Sequence, residues 1–170
     1  MIETIGWVLP RPRRKNKYIG SFPQHLEKKI YKELGIDINK HRILHPFAGM
    51  AEYGIRLDIK EEVKPDIIGD AHFLPIKNEC FDLVFLDPPY SEEYAKRLYG
   101  TKKLHFKKYT NEAVRVLKED GFLVMYHYLA CPRIENTILI KRIFLETRMW
   151  HKLRCIHIHQ KRSDLWKKEK

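Results

Sequence analysis

From residue 81 the chain reads Phe81-Asp82-Leu83-Val84-Phe85-Leu86 and then Asp87-Pro88-Pro89-Tyr90. The run from Leu83 to Leu86 leaves no wet face, so it describes a strand buried on both sides, as at the centre of a parallel sheet. The two prolines stop the strand, because neither can donate to a ladder. An acid, Asp87, is thereby delivered at the C-terminal end of a buried strand. This segment alone asks for a layered α/β fold around a largely parallel sheet.

The rest of the chain fits that architecture. Arg42–His45, Tyr53–Ile59, Asp66–Ile68 and Asp82–Leu86 read as strands, with Ile67-Ile68 also expected to be buried on both faces. Phe122–Tyr128, Ile138–Thr147 and Leu153–His159 add three more, the second of which could equally begin as a helix. Residues 24–34 place Leu26, Ile30 and Leu34 four apart, predicting an amphipathic helix stopped by Gly35. Tyr109–Glu119 predicts another, with Ala113, Val116 and Leu117 on one side and Asp120-Gly121 ending it. At 170 residues the chain has room for one ordinary core. The expected division is a basic N-terminal segment over 1–20, one domain over 21–160 and a basic tail over 161–170.

Charge is unevenly spread. The formal net charge of +11 is carried by three segments. Residues 11–17 contribute +5, residues 91–110 contribute +4 and residues 161–170 contribute +3, leaving the remainder at −1. In the internal segment Lys96, Arg97, Lys102, Lys103, Lys107 and Lys108 are interleaved with Tyr94, Tyr99, Phe106 and Tyr109. That mixture can hold phosphates and stack on bases, which argues against a small-molecule substrate. The three cysteines form no C-x-x-C pair, Ile5 to Leu9 is too short for a signal peptide, and no apolar run suits a membrane helix. A reduced, cytoplasmic protein is the expectation.

Four strand ends carry the chemistry: His45-Pro46-Phe47-Ala48-Gly49, Leu57-Asp58, Gly69-Asp70-Ala71 and Leu86-Asp87-Pro88-Pro89-Tyr90. Open α/β sheets bind ligands at these C-terminal ends. A glycine after the first strand lets a ligand approach the backbone, and a carboxylate after the second can accept hydrogen bonds from a ribose diol. Asp70 suits an adenine amino group, and Asp87 sits where a second substrate would meet a cofactor. His157 and His159 alternate on one strand but lack a third partner, so no metal is expected.

These residues resemble the S-adenosylmethionine-dependent amino-methyltransferases whose Asp-Pro-Pro-Tyr motif modifies exocyclic amines such as adenine N6. The resemblance runs from about Ser21 to Gln160 and is most specific over Phe81 to Tyr90. It implies a Rossmann-like methyltransferase fold, mostly parallel with an antiparallel C-terminal strand. The short interval from Gly49 to Asp58 implies a reduced first helix. By resemblance, Phe22 and Pro23 would close over the methionine end of the cofactor. His45, Pro46, Phe47, Ala48 and Gly49 would form its loop, Asp58 would hold its ribose, and Asp70 with Ala71 would contact its adenine. Asp87 and the Pro88 carbonyl would accept from the target amine, with Pro89 and Tyr90 completing the motif and Tyr90 stacking on the base. The chain departs from the family at His45, where an acid is usual, and at Met50-Ala51, where a second glycine is usual.

The implied activity is methylation of an exocyclic amine in nucleic acid, adenine N6 in DNA ahead of RNA. Adenine N6 or guanine N2 in RNA, a protein side-chain amide, and a catalytically silent nucleic-acid-binding subunit remain alternatives. No separate target-recognition domain is expected, so recognition would come from residues 91–110, the basic termini, or a partner subunit or second copy.

Overall fold

Among the described residues, eight strands form one sheet in the order β1-β7-β8-β6-β5-β2-β3-β4. They are β1 (Glu3–Val8), β2 (Ile43–His45), β3 (Ile55–Asp58), β4 (Ile67–Ile68), β5 (Phe81–Leu86), β6 (Leu117–His127), β7 (Thr137–Glu146) and β8 (Arg154–Lys161). The computed structural model describes residues 2–12, 21–91, 93, 95, 96, 100, 104–127, 130–148 and 153–162. Every neighbouring pair is parallel except those made by β8, which runs antiparallel to both β6 and β7. The antiparallel C-terminal strand is therefore present as expected.

Helices cover both faces. Helix α1 (Leu26–Glu33) buries Leu26, Ile30 and Tyr31 against Leu83, Phe85, Val124 and Ile156. Helix α2 (Phe106–Val116) buries Tyr109, Ala113 and Val116 against Val84, Leu86, Leu123 and Met125. Leu83 and Phe85 thus face one layer while Val84 and Leu86 face the other, and all four are fully buried. Each contributes about 1.5–3 kcal/mol of hydrophobic stabilisation. Gly35 ends α1 as expected, in the left-handed region at φ +66, and the Ile36 amide bonds back to the Tyr31 carbonyl at 2.8 Å.

Several boundaries differ from the sequence expectation. Residues 3–8 lie inside the span read as a basic N-terminal segment, yet they form the outermost strand, paired in parallel with β7. Trp7 and Leu9 are buried in the α1-side core, and the Gln24 side chain donates to the Arg11 carbonyl at 2.7 Å. At the other terminus Lys161 belongs to β8, not to a tail; its Nζ donates to the buried Leu117 carbonyl at 2.8 Å. The rest of both basic runs, residues 13–17 and 163–170, lies outside the described residues. Among the described residues Ile67-Ile68 is an edge strand, and Ile68 is 60% exposed. Helix α2 stops at Val116, not Glu119, because Leu117 turns extended at φ −71, ψ 139 and enters β6. The Asp120-Gly121 turn sits inside that strand, at the irregularity between the Phe81↔Leu117 and Leu83↔Phe122 pairs.

Among the described residues no helix is long and apolar enough to cross a membrane.

Candidate active site

The C-terminal ends of β2, β3, β4 and β5 gather at one edge of the sheet. After β2 the chain makes turns rather than a helix, in keeping with the short interval to β3. Neighbouring strand residues hold this loop. The Ala48 amide donates to the Leu57 carbonyl at 3.0 Å, and the Gly49 amide donates to Asp58 Oδ2 at 2.9 Å. From β3, Arg56 Nη2 donates to the Gly49 carbonyl at 2.9 Å and to the Val63 carbonyl at 2.7 Å. Asp58 is buried, and its other oxygen accepts from the Lys60 amide at 3.0 Å. The residue expected to hold a ribose is thus also the brace of the glycine loop, which leaves it two of its roughly four acceptor positions.

A cavity of about 340 Å³ opens beside this loop. Pro46, Phe47, Asp58, Asp70, Ala71 and Pro89 all line it, so residues from four separate strand ends converge as the sequence pattern suggests. The sequence reading did not single out His72, Phe73 and His105, which also line it. His105 donates its backbone N–H to His72 Nε2 at 3.0 Å, which places the imidazole proton on Nδ1, 2.6 Å from Asp70 Oδ1. His72 therefore fixes the direction of the Asp70 carboxylate. Its position two residues after Asp70 was visible in the sequence, but nothing in the pattern tied it to His105.

Behind the loop lies a second polar group. His45 is fully buried, stacked on Phe85 with ring centres 5.3 Å apart, and its Nε2 is 3.0 Å from the Tyr31 hydroxyl. Burial, aided by the Arg56 charge, pulls the imidazole down to about 3, so it is neutral. The Glu27 carboxylate approaches within 3.5 Å and accepts the Glu52 amide at 3.2 Å. Burial pushes Glu27 up to about 7 against the pull of those hydrogen bonds. His45 thus supports the loop from beneath, and Ala48 is buried with it. Helix α1 thus brings a carboxylate, Glu27, next to His45, and an i,i+4 pair such as Glu27 and Tyr31 reads in sequence as an ordinary helix face.

The Asp87 loop reaches the cavity through Pro89, while Asp87, Pro88 and Tyr90 are not among its lining residues. Asp87 is half-buried and Pro88 is buried. Loss of hydration pushes the Asp87 carboxyl up to about 8, opposed by a hydrogen bond from the Tyr90 hydroxyl and by the charge of Arg154. The Tyr90 ring meets His127 edge-on, with centroids 5.1 Å apart. Phe22 packs on Phe85 at 5.0 Å and on Tyr126 at 5.8 Å, on the α1 side, and Pro23 beside it is buried. Arg154 and Tyr126 were not found from the sequence, because their contacts depend on how β8 aligns with β6.

The expected substrate-binding cations divide. Lys108 lines the cavity, its Nζ 5.6 Å from the centre of the exposed Phe73 ring. Lys107 pairs with Glu135 at 3.0 Å, and Lys96 is exposed. Arg97, Lys102 and Lys103 lie outside the described residues. Among the described residues no three His, Cys, Asp or Glu side chains form a metal-binding group.

No protein-family model and no curated sequence matches the chain. Solved structures do. The chain superposes on yhhF from Escherichia coli, a protein assigned as a methyltransferase, with a TM-score of 0.57 and 15% identity over 92% of each chain. TrmN from Thermus thermophilus gives 0.56 and 15% identity, over 84% of this chain and 50% of that one. The N-methyltransferase NodS from Bradyrhizobium japonicum gives 0.50 and 13%, over 82% of this chain and 98% of its own. The likeness shows the fold, the Rossmann-like fold of these methyltransferases.

Proposed function

We propose that the protein is an S-adenosylmethionine-dependent methyltransferase acting on an exocyclic amine of nucleic acid, adenine N6 in DNA being the first candidate. One observation carries this reading. Pro89, which directly follows the proposed acceptors Asp87 and Pro88, lines the same cavity as Asp58, Asp70 and Ala71, so the loop that carries the acceptors reaches a pocket suited to an adenosine.

The residues present fit that cofactor. The cavity is of ligand size, with Phe47 and Ala71 as apolar walls and two carboxylates at fixed positions. Asp58 would take the ribose hydroxyls on its remaining lone pairs, and Asp70 with the Ala71 amide would take the adenine edge. Gly49, held at φ +45, would let the methionine end lie against the backbone, with Phe22 and Pro23 over it. When bound, S-adenosylmethionine supplies an activated methyl group.

The protein's part is alignment and charge. An aromatic amine shares its lone pair with the ring and is a poor nucleophile. Asp87 and the Pro88 carbonyl, each accepting one N–H, would favour a pyramidal nitrogen whose lone pair is free to attack. As the amine took up the methyl group, positive charge would grow on the nitrogen, where an ionised Asp87 would stabilise it. One proton would then leave the nitrogen for the Asp87 carboxylate and, from there, solvent. Tyr90 would stack on a base taken out of its helix and offset part of the lost stacking. The cationic segment containing Lys96, Arg97, Lys102, Lys103, Lys107 and Lys108 would hold the flanking phosphates.

Titration calorimetry tests the cofactor step. The folded protein should bind S-adenosylmethionine, and Asp87→Ala should bind within a few-fold of it while losing methyl transfer by at least about 100-fold. A folded protein with no measurable binding would overturn the reading in favour of a silent nucleic-acid-binding subunit.

A further inference from the structure

We propose that Arg154 is a positioning residue of this site, which reaches from β8 to hold the Tyr90 and Tyr126 hydroxyls and so keeps Asp87 a usable acceptor. The inference rests on the assignment of Asp87 as the amine acceptor, but its test does not need turnover.

The topology puts Arg154 there. β8 is the strand that runs against the others, so its first residue arrives at the edge where β5 and β6 end. Ile156 lies opposite Tyr126, and Cys155 opposite His127. Side chains alternate along a strand, so Arg154 shares the face of Ile156, which is the α1-side face that also carries Tyr126. Its guanidinium carbon is 5.1 Å from the centre of the Tyr90 ring. The guanidinium donates to both tyrosine hydroxyls, and the Tyr90 hydroxyl donates onward to Asp87. A planar fork with several donors can serve two hydroxyls at once, which a lysine ammonium does less well.

The consequence is electrostatic. Asp87 meets Tyr90 from its own loop and lies within electrostatic reach of Tyr126 from β6 and Arg154 from β8, while His127 of β6 touches the Tyr90 ring and neutral His45 of β2 stacks on Phe85. Burial raises both tyrosines well above the usual phenol range, so their hydroxyls stay protonated. Against the desolvation that favours a neutral Asp87, two influences favour the carboxylate: the Tyr90 hydrogen bond and the Arg154 charge. Arg154 governs both, one directly and the other by fixing where the Tyr90 hydroxyl points. A donor already polarised by a cation also makes the stronger onward hydrogen bond.

The test is a carboxyl-carbon NMR titration of the whole chain, with the Asp87 signal identified by its loss in Asp87→Asn. Arg154→Gln should move the Asp87 midpoint upward by about one pH unit or more, and Arg154→Lys should restore part of that shift. Where methyl transfer is measurable, the acid limb of kcat should move by the same interval with cofactor affinity unchanged. A midpoint in Arg154→Gln equal to that of the parent protein would overturn the proposal. If Arg154→Gln does not fold, Tyr90→Phe cuts the same link, and an unmoved midpoint there is equally fatal. Failure to bind S-adenosylmethionine would sink the function while leaving this titration intact, so the two failures are distinguishable.

Discussion

The Gly49 amide donates its hydrogen bond to Asp58 Oδ2 at 2.9 Å, while Arg56, two residues earlier on the same strand, holds the Gly49 carbonyl at 2.9 Å. The glycine loop is thus clamped on both sides of one residue by β3, in place of the helix that would otherwise follow β2. Asp58→Ala should free the Gly49 and Lys60 amides, lower the melting temperature by several degrees and weaken S-adenosylmethionine binding at least tenfold. Asp58→Asn keeps one acceptor and should fall between. Calorimetry and thermal denaturation of both variants check this, and unchanged affinity in Asp58→Ala would remove Asp58 from the cofactor site.

Gly54 allows the return from that loop into β3. Its φ is +75, and an added Cβ would stand 2.7 Å from the Ile43 carbonyl oxygen. Gly54→Ala meets a conformational penalty and a backbone clash together, a loss of about 2–4 kcal/mol. Urea denaturation should show a lower midpoint with an unchanged slope.

The displaced carboxyl of Asp87 gives a signed pH dependence. Its ordinary value is 3.8 and the fold raises it to about 8. Between these values the folded chain keeps a proton that the unfolded chain has released, so Asp87's contribution is complete below about pH 4 and declines as pH rises towards 8. Asp87→Asn removes the titration. Its stability relative to the parent protein should grow with pH across that window, by at most about 1.4 kcal/mol per unit. Denaturation at pH 5 and pH 8 measures the difference, and a gap independent of pH would contradict a raised carboxyl. By the mechanism proposed above, methyl transfer should decline as pH falls below about 8.

Much of this was legible in the sequence where one segment carries its own signal. The unbroken Leu83–Leu86 run announced a central strand, and Asp87-Pro88-Pro89-Tyr90 announced where it ends and what it delivers. Pro46, Phe47, Asp58, Asp70, Ala71 and Pro89 share a cavity because all stand at the ends of neighbouring strands. β1 was illegible because only Ile5 and Trp7 point inward from it and Gly6 interrupts the pattern. Its partner β7 also lies at the far end of the chain. Glu27 and Tyr31 look like a solvated helix face until α1 is docked. Arg154 acquires meaning only from the register of β8 on β6.

Lys108 stands at the cavity rim and Lys107 on the preceding residue of α2. Replacing both together with Lys102 and Lys103 should weaken DNA binding and reduce its dependence on salt, with a slope lower by up to about 0.9 for each phosphate no longer neutralised. Binding measured at several salt concentrations decides this. An identical slope would take the segment out of the interface.

The proposed reaction is transfer of a methyl group to a nucleic-acid amine by way of Asp87. The direct measurement incubates the parent protein and Asp87→Ala with methyl-labelled S-adenosylmethionine and separate DNA, RNA and protein pools, followed by mass spectrometry of the digested products. Label on an exocyclic amine, first on adenine N6 from DNA, with the parent protein and none with Asp87→Ala, is the predicted result. Equal labelling by both proteins, or label in the protein pool alone, would contradict it.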